Sequence, residues 1–253
     1  MISSTTLKWI RSLANKAVRD EEGVFVAEGH KAIESLLPYF NCRLLLSTDM
    51  QWKEHPLKPS AQTEMELVPM KFIERASQQK TPQGMIAVFE KPNNTLPIND
   101  IKEDLYLVLD GIQNPGNVGT IIRLADWFGI NTIFCSTDCA DVFSPKTVQA
   151  TMGSLGRVKV WYVDLVEFMG KHKVQLPVFG TLLKGASIFS LTPPTKGFIV
   201  LGSEGNGISP DVAALIDIAV TIPPFRQGFT TAESLNVATA AAIICATFRQ
   251  SKN

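Results

Sequence analysis

The chain has 253 residues, 45% of them hydrophobic and 19% charged, which is enough for one large or two ordinary domains with buried cores. Its 24 Lys and Arg residues balance 24 Asp and Glu residues, which argues against histone-like, diffuse attraction to phosphates but allows a local basic face. Four cysteines are scattered among apolar residues and three histidines stand alone, so we predict reduced core cysteines, no metal site and no His-based triad. No apolar run approaches the ~20 residues that span a bilayer, and we expect a cytoplasmic protein without a membrane segment.

The first nineteen residues carry four cations and no acid, a composition that resembles a transit peptide. The cations are Lys8, Arg11, Lys16 and Arg19. The apolar residues of the same segment have the spacing of a core-facing helical stripe, namely Leu7, Ile10, Leu13, Ala14 and Ala17. A basic amphipathic first helix is therefore the favoured interpretation.

The clearest break in the chain is EKPNNTLPIND at residues 90–100, whose prolines and asparagines are typical of a linker. Before it, the strand-like runs GVFVAE, CRLLLS and GMIAVFE alternate with the helical runs HKAIESLLPYF and PMKFIERASQ. We therefore predict a small α/β domain over 1–95 and a second domain over 101–253.

Six apolar runs of the second half have the length and composition of buried strands. They are LYLVLD, NTIFCS, RVKVWYV, PVFGTLL, GFIVLG and IAVTIP, with helical patterns between them. Repeated strand–helix–strand units predict a mostly parallel, doubly wound sheet covered on both faces. Ligands of such sheets bind at the carboxyl ends of the strands, and three of these ends carry unusual residues.

The first of these strand ends follows LYLVLD, which ends at Asp110. The turn residues after it predict a helix that begins near Asn117 or Val118, with Asn117 as its N-cap. Arg123 then lies in the first two turns, near the carboxyl edge of the sheet, where a guanidinium can bind a phosphate or a carboxylate. The alternative is an ordinary solvated surface arginine.

The second strand end is glycine-rich. Gly202 ends the run GFIVLG, and Gly205 and Gly207 follow in an order that differs from the G-x-G-x-x-G of dinucleotide-binding proteins. A helix start comes next, with Ser209 as N-cap and Pro210 at the first helical position. Alone, such a turn indicates little about function.

The third strand end follows Ile222 and Pro223. Thr230 and Glu233 have capping-box spacing, which predicts a helix that begins near Ala232. Its first turn then holds Ser234, Leu235 and Asn236. Free N–H groups and short polar side chains make such a turn a ligand platform, although the serine and the asparagine are also explained as capping residues.

Taken together, these stretches resemble, in order, the three motifs of the SpoU (TrmH-like) branch of the SPOUT RNA methyltransferases. The matching residues are Asn117 and Arg123, then Gly202-Ser203-Glu204-Gly205 with Gly207, then Ile222-Pro223 with Ser234-Leu235-Asn236. The segment SPKTVQATMGSLGRVKV is similar to the neighbourhood of the family's second motif. The resemblance covers about residues 105–250, and ISSTTLKWIRSLANKAVRDEEGVFVAEGHKAIESLL is similar to the family's substrate-binding extension. Pro224 departs from the methionine that is usual there.

The resemblance implies a small N-terminal α/β RNA-binding domain before a parallel-sheet domain with a deep trefoil knot. It implies transfer of a methyl group from S-adenosylmethionine, without a metal, to a ribose 2′-hydroxyl of structured RNA, with ribosomal RNA favoured over transfer RNA. It also implies a homodimer through the knot region. Carried over by position, the catalytic residues are Arg123, Asn117, Ser234 and Asn236. The implied cofactor contacts are Thr181, Leu182, Gly202, Glu204, Gly207, Ile222 and Leu235.

Arg123 is the catalytic arginine that the resemblance implies, but a guanidinium with a pKa above ~12 is a poor base. We favour its binding an RNA phosphate while another acceptor takes the proton; a guanidinium made basic by a neighbouring phosphate is the alternative. Further charge for the RNA is expected from the first domain and its four N-terminal cations.

Two other classes of protein are consistent with parts of the sequence. A small-molecule enzyme on a doubly wound sheet would use the glycine turn for a nucleotide, but no nicotinamide or ATP fingerprint is present. A catalytically silent RNA-binding member of the same family would be expected to lack Asn117, Arg123 or Asn236, and all three are present.

Overall fold

The computed structural model describes residues 2–92, 101, 103–192, 194–225 and 232–250. The chain forms two compact units, one of Met1–Asn94 with Asp141–Arg157 and one of Thr95–Ala140 with Val158–Asn253. The domains predicted as 1–95 and 101–253 differ from these units in one segment, because residues 141–157 return to the first unit. Residues 93–100 of the predicted linker lie outside the described residues.

The regular elements are numbered in chain order. The helices are α1 (Ser4–Ser12), α2 (Lys16–Glu22), α3 (His30–Leu36), α4 (Asp49–Glu54), α5 (Met70–Ala76), α6 (Pro115–Trp127), α7 (Pro145–Thr151), α8 (Leu165–His172), α9 (Pro210–Ala213) and α10 (Val237–Phe248). The strands are β1 (Val24–Glu28), β2 (Cys42–Ser47), β3 (Glu64–Leu67), β4 (Met85–Glu90), β5 (Leu105–Asp110), β6 (Thr132–Cys135), β7 (Lys159–Tyr162), β8 (Val178–Ser187), β9 (Gly197–Gly202) and β10 (Ile218–Thr221). Short 3-10 turns cover Ser154–Gly156 and Ile188–Ser190.

The first unit is built on a mixed four-stranded sheet with the order β1-β4-β2-β3. Strand β4 runs antiparallel to β1 and β2, whereas β2 and β3 are parallel. The three strands and two helices predicted for this half are confirmed as β1, β2, β4, α3 and α5. Strand β3 is not predicted from the sequence, because its short Glu-Met-Glu-Leu segment lies partly exposed and carries a charge at every second position.

The prediction of a single N-terminal helix is wrong. Helix α1 ends at Ser12, and a new helix starts where the Asn15 side chain accepts a hydrogen bond from the backbone N–H of Ala17 at 2.9 Å. The first three members of the predicted apolar stripe are buried, but both alanines are exposed. The cap at Asn15 explains this, because it ends the helical repeat after the third member of the stripe.

Arg19 is buried and ties the first unit together, so the expectation that it contacts RNA is wrong. Its side chain is only 2% exposed and donates hydrogen bonds to the carbonyls of Leu13 and Ala14, both at 2.7 Å. The guanidinium also pairs with the carboxylate of Asp141 at 2.5 Å. Because Asp141 opens the returning segment, this pair fastens residues 141–157 to the N-terminal helices.

The second unit has a six-stranded sheet with the order β10-β8-β9-β5-β6-β7, in which every pair of neighbours is parallel. The six strands and the α/β fold predicted for this half are confirmed. On one face, Val108, Phe134 and Val200 pack with α8 and α9. Their chain neighbours Leu109 and Leu201 point to the opposite face and are also buried, which explains the uninterrupted apolar runs.

Helices α6 and α10 pack side by side and run in the same direction. Near their starts, the Asn236 Nδ2 group donates a hydrogen bond to Asn117 Oδ1 at 3.2 Å. Near their ends, Arg249 Nη2 donates to the carbonyl of Gly129 at 3.2 Å. The pairing brings the two N-termini to the same edge, next to the carboxyl ends of β5 and β9, where Asp110 pairs with Gly202.

The four cysteines are buried and free, as predicted. Within the described ranges, no helix is both long and apolar enough to cross a lipid bilayer. The same residues contain no cluster of three or more His, Cys, Asp or Glu side chains placed to hold a metal ion.

Candidate active site

Helix α6 begins earlier than predicted. Its N-cap is Asn114, whose side-chain oxygen accepts hydrogen bonds from the backbone N–H groups of Gly116 at 2.8 Å and Asn117 at 3.4 Å. Pro115 takes the first helical position, where its fixed φ is favourable. The prediction that Asn117 is the cap is therefore wrong, and its side chain is left available for other contacts in the first turn.

Helix α10 begins later than predicted. The oxygen of the Asn236 side chain accepts hydrogen bonds from the backbone N–H groups of Ala238 at 3.0 Å and Thr239 at 3.3 Å. The predicted start near Ala232 is wrong, because the Asn236 cap fixes the start of the helix at Val237. Thr230, on which that prediction depended, lies outside the described residues.

The glycine-rich turn after β9 folds back on itself. The N–H of Ser203 donates to the carbonyl of Gly207 at 3.0 Å, and the N–H of Gly207 donates to the carbonyl of Ser203 at 2.9 Å. A Cβ atom at Gly202 would lie 2.2 Å from the carbonyl carbon of Gly207, so the close approach requires glycine. The turn therefore presents backbone groups and the exposed Glu204 side chain at the edge of the sheet.

Asp110, which the sequence analysis noted only as a strand end, has a structural contact of its own. Its carboxylate is 7% exposed and accepts a hydrogen bond from the backbone N–H of Ser209 at 2.6 Å. Helix α9 begins at Pro210 as predicted, but the Ser209 side chain makes no capping hydrogen bond. Asp110 thus joins the end of β5 to the start of α9 and holds the glycine turn between them.

Three side chains from the three predicted strand ends meet in one cluster, formed by Asn117, Glu204 and Asn236. The Nδ2 group of Asn117 donates a hydrogen bond to Glu204 Oε1. The Nδ2 group of Asn236 donates to Asn117 Oδ1 at 3.2 Å and to Glu204 Oε1 at 3.5 Å. The carboxylate therefore fixes the orientation of both carboxamides, a role of its side chain that the sequence analysis missed.

Arg123 and Ser234, also predicted as catalytic, make no hydrogen bond or ion pair in the part of the chain that the structure describes. Ser234 and Leu235 are exposed and precede α10. Arg123 is exposed on α6, six residues after Asn117, which places it about 9 Å further along the helix axis. Because successive residues turn by about 100°, Arg123 lies about 120° around the helix from Asn117, and its side chain slants over the turn before it.

Four of the residues predicted to contact the cofactor lie on, or directly after, three neighbouring strands. Strands β10, β8 and β9 are adjacent in the sheet, and Thr181 and Leu182 lie on β8, Gly202 at the end of β9 and Ile222 just after β10. Leu182 and Leu235 are exposed apolar side chains, suited to the face of a purine. This combination of backbone turn, apolar contact and one carboxylate fits an adenosine-bearing cation.

A thiol pair lies beneath the loop that leads into α6. Cys139 Sγ accepts a hydrogen bond from the backbone N–H of Ile112 at 3.3 Å and donates to the carbonyl of Leu109 at 3.2 Å. A hydrogen bond from Cys135, together with those from Ser136 and Ile112, lowers the pKa of the Cys139 thiol to about 7 against the effect of burial. The same pair interaction, with burial, raises the pKa of Cys135 well above its usual value.

Family comparison places the chain in a known class. The model of the SpoU rRNA Methylase family matches residues 104–246, and the model of the MRM3-like substrate binding domain matches residues 4–87. The chain therefore belongs to the SpoU rRNA methylase family. The predicted family and enzyme class are confirmed.

Proteins similar over nearly the whole chain support this assignment. A solved structure from Porphyromonas gingivalis, assigned to the TrmH family of RNA methyltransferases, is 42% identical with a TM-score of 0.88 and 98% coverage of both chains. An AdoMet-bound rRNA methyltransferase from Sinorhizobium meliloti is 29% identical with a TM-score of 0.83, covering 98% of this chain and 96% of that one. The Bacillus subtilis 23S rRNA (guanosine(2553)-2′-O)-methyltransferase is 27% identical over 92% of each chain.

Proposed function

We propose that this chain transfers a methyl group from S-adenosylmethionine to a ribose 2′-hydroxyl of ribosomal RNA. The observation that carries the proposal is the cluster of Asn117, Glu204 and Asn236 beside the glycine turn. Its three side chains come from three separate strand ends and lie at the edge where ligands of parallel sheets bind.

The cluster is suited to holding a hydroxyl group. S-adenosylmethionine, when bound, supplies an electrophilic methyl group, so the protein has to align the hydroxyl and accept its proton. Within the cluster Asn117 uses one N–H, towards Glu204, and one lone pair, towards Asn236; an amide has two donor hydrogens and two acceptor lone pairs, so Asn117 keeps one of each. The oxygen of Asn236 caps α10, and its Nδ2 group is hydrogen-bonded to both other members of the cluster. Asn117 can therefore orient a ribose while Glu204 and Asn236 hold it in place.

Glu204 is the one carboxylate of the cluster and the acceptor to which we assign the proton. An exposed carboxylate next to an aligned hydroxyl can act as a general base, whereas a guanidinium is a poor one. Arg123 we assign to an RNA phosphate next to the target ribose, since it is exposed on the helix that carries Asn117 and its fork matches phosphate oxygens. Ser234, exposed before α10, is assigned to the ribose as well.

The preference for ribosomal RNA is supported by relatives that extend over both units. The Bacillus subtilis relative and one from Streptomyces viridochromogenes, 29% identical over 94% of this chain and 86% of that one, are named for 2′-O-methylation of 23S rRNA. The first is named for methylation of a guanosine and the second for methylation of a uridine, so the proposal specifies the ribose and not the base.

We further propose that two copies of the chain pair through α6 and α10, as the family resemblance implies. Trp127 at the end of α6 is 83% exposed, and Thr239 and Ala246 are exposed on α10. An exposed tryptophan beside a helix of small residues favours close helix packing between copies. The trefoil knot and a cytoplasmic location also stay predictions.

The dimer proposal is tested by the mass of the protein in solution. Light scattering after gel filtration should give a dimer for the wild type and a monomer for Trp127→Glu. The matched control is Val174→Glu, an apolar residue that is 91% exposed away from α6 and α10. A wild type that is monomeric at all concentrations would contradict the pairing.

The activity is tested by incubating the purified chain with tritiated S-adenosylmethionine and RNA from a strain that lacks the gene. We expect incorporation into ribosomal RNA, and a ribose 2′-O-methyl group on digestion. Incorporation into transfer RNA alone would show that the substrate is transfer RNA and not ribosomal RNA. Binding of ribosomal RNA without any methyl incorporation would show that the chain is a catalytically silent member of the family. Preferential binding of NAD or ATP over S-adenosylmethionine would contradict the proposal itself.

The substitution Glu204→Gln tests whether Glu204, and not Arg123, accepts the proton. The amide keeps an oxygen that can accept hydrogen bonds from both asparagines but is not basic, so we expect RNA affinity to stay the same and the rate of methyl transfer to fall. An undiminished single-turnover rate would show that the proton goes elsewhere.

A further inference from the structure

Two histidines of the first unit form a stacked pair that the proposed methyl transfer does not use. The rings of His30 and His55 lie with their centroids 3.8 Å apart and their planes 6° from parallel. His30 is the first residue of α3 and His55 is the C-cap of α4, and both rings are partly exposed. The pair is therefore an aromatic feature that solvent, and a ligand, can reach.

The fold explains why these rings meet. Strands β1 and β2 both run antiparallel to β4, so their carboxyl ends lie at the same edge of the four-stranded sheet. Helix α3 follows β1 through Gly29, and α4 follows β2 through Thr48. Strand β4 lies between β1 and β2, so the two helices start two strands apart at this edge of the sheet.

Two carboxamides line the same edge. The Oε1 atom of Gln83 lies 2.2 Å from where a Cβ atom of Gly29 would be, and Cγ of Gln51 lies 2.7 Å from that of Gly84. Both glycines have positive φ, +87° and +78°, a backbone conformation that strains other residues. Gln83 therefore covers the residue before His30, and Gln51 precedes His55 by one helical turn.

One exposed cation without an ion-pair partner in the described residues lies next to the pair. Burial, followed by the charges of His55 and Lys31, lowers the pKa of His30, and the carboxylate of Glu34 opposes this shift. The Lys53 ammonium on α4 is paired with Asp49 at 2.6 Å. Lys31, next to His30, is exposed and forms no ion pair in the described part of the chain.

A stacked aromatic pair, two carboxamides and a lysine suit one class of ligand. Unpaired bases of RNA are recognised by stacking on aromatic side chains, including histidine, and by hydrogen bonds to their edges. We propose that an unpaired nucleobase of the RNA substrate stacks on the pair of His30 and His55. The carboxamides of Gln51 and Gln83 reach the edge of this base, and Lys31 contacts its phosphate. The inference rests on the proposed function, because it needs an RNA substrate.

The test measures the affinity of the full chain for protein-free 23S ribosomal RNA from a strain that lacks the gene. His30→Ala and His55→Ala should each weaken binding about tenfold, the scale of one lost base stack. His30→Phe and His55→Phe keep an aromatic ring and should bind within about threefold of the wild type. Lys58→Ala, an exposed cation elsewhere in the unit, is the matched control and should bind as the wild type does.

The outcomes separate this inference from the proposed function. Alanine variants that bind as the wild type does, or phenylalanine variants as weak as the alanine variants, would overturn the stacking site. A wild type that binds ribosomal RNA but transfers no methyl group would overturn the proposed function alone. Binding of S-adenosylmethionine should be the same in all variants, and the phenylalanine variants show whether a loss in the alanine variants comes from the ring or from the fold.

Discussion

Two polar clusters of the molecule join residues far apart in the sequence, and their exposure separates their roles. Arg19 and Asp141 form an ion pair whose side chains are 2% and 13% exposed. Glu204 and Asn236, in the cluster with Asn117, are exposed at the edge of the other sheet. In the buried pair both terminal nitrogens of the guanidinium are occupied by the protein and solvent cannot reach them, whereas the exposed cluster keeps hydrogen-bonding groups that a ligand can reach. Long-range polar contacts therefore indicate a functional site only when ligands can reach them.

The largest effect is expected from Asn236→Asp. The new carboxylate still caps α10, but the substitution removes both N–H donors of the Asn236 side chain and places a second negative charge beside Glu204. We expect the single-turnover rate of methyl transfer to fall on the order of a thousandfold, because lost positioning donors have effects of this size. The melting temperature should change little.

The matched control is Asn114→Asp, the same substitution at the N-cap of α6. The Asn114 side chain makes no hydrogen bond to the side chains of the cluster in the described residues, and the aspartate keeps the oxygen that accepts from the backbone N–H groups of Gly116 and Asn117. The rate of this variant should equal that of the wild type. Turnover of Asn236→Asp within about threefold of the wild type would remove the cluster from the active site, since loss of even one catalytic donor has a larger effect.

The second effect concerns the buried pair. Asp141→Asn leaves the charge of Arg19 buried without an anionic partner. We therefore expect the free energy of unfolding, measured by urea titration, to fall by about 3 kcal/mol. Lys16→Ala, which breaks an exposed ion pair with Asp20, is the comparison and should change it by less than about 1 kcal/mol. A loss for Asp141→Asn no larger than this would mean that the buried pair does not fasten the segment.

The third effect tests Arg123, the exposed cation outside both clusters. If it binds a phosphate, Arg123→Lys should keep about a tenth of the wild-type rate, because a lysine supplies charge without the fork. The pH–rate profile should keep its shape between pH 6 and 10. If arginine were the base, lysine's lower intrinsic pKa would move the basic limb to lower pH at unchanged RNA affinity.

The smallest effect concerns the Cys139 thiol, which is buried beneath the loop that leads into α6. The pKa of Cys139 is lowered to about 7 in the fold from an ordinary value of 9.0, so the unfolded chain binds more protons between these values. The stability that the thiolate contributes is present above pH 9 and is lost as pH falls through 7. Relative to Cys139→Ser, wild-type stability should rise by about 1 kcal/mol from pH 7 to pH 8.

Cys245→Ser provides the control for this pH dependence. Burial raises the pKa of Cys245 to about 12, so its removal should not change the slope of stability in that range. A slope that is the same in the wild type and in Cys139→Ser would contradict the lowered pKa.

The strands other than β3 could be predicted because each is an apolar run bounded by turn residues. The helix starts were less predictable: Asn114 and Asn117 are both suitable caps on local pattern, and the choice depends on Pro115. The contact between Arg19 and Asp141 joins residues 122 positions apart, and no local pattern indicates such a contact. Likewise the roles of the site residues came from the family resemblance, and the geometry added the Glu204 side chain.

The return of residues 141–157 to the first unit has a consequence for synthesis on the ribosome. Arg19 leaves the ribosome 122 residues before Asp141, a delay of roughly 6 to 24 s at about 5–20 residues per second. During that time the N-terminal unit lacks both α7 and the partner of its buried cation, while β5, α6 and β6 are already made. The first unit therefore cannot be completed before part of the second has been made. A chain stalled before residue 141 is expected to be a better substrate for chaperones and proteases than the length of its finished part suggests.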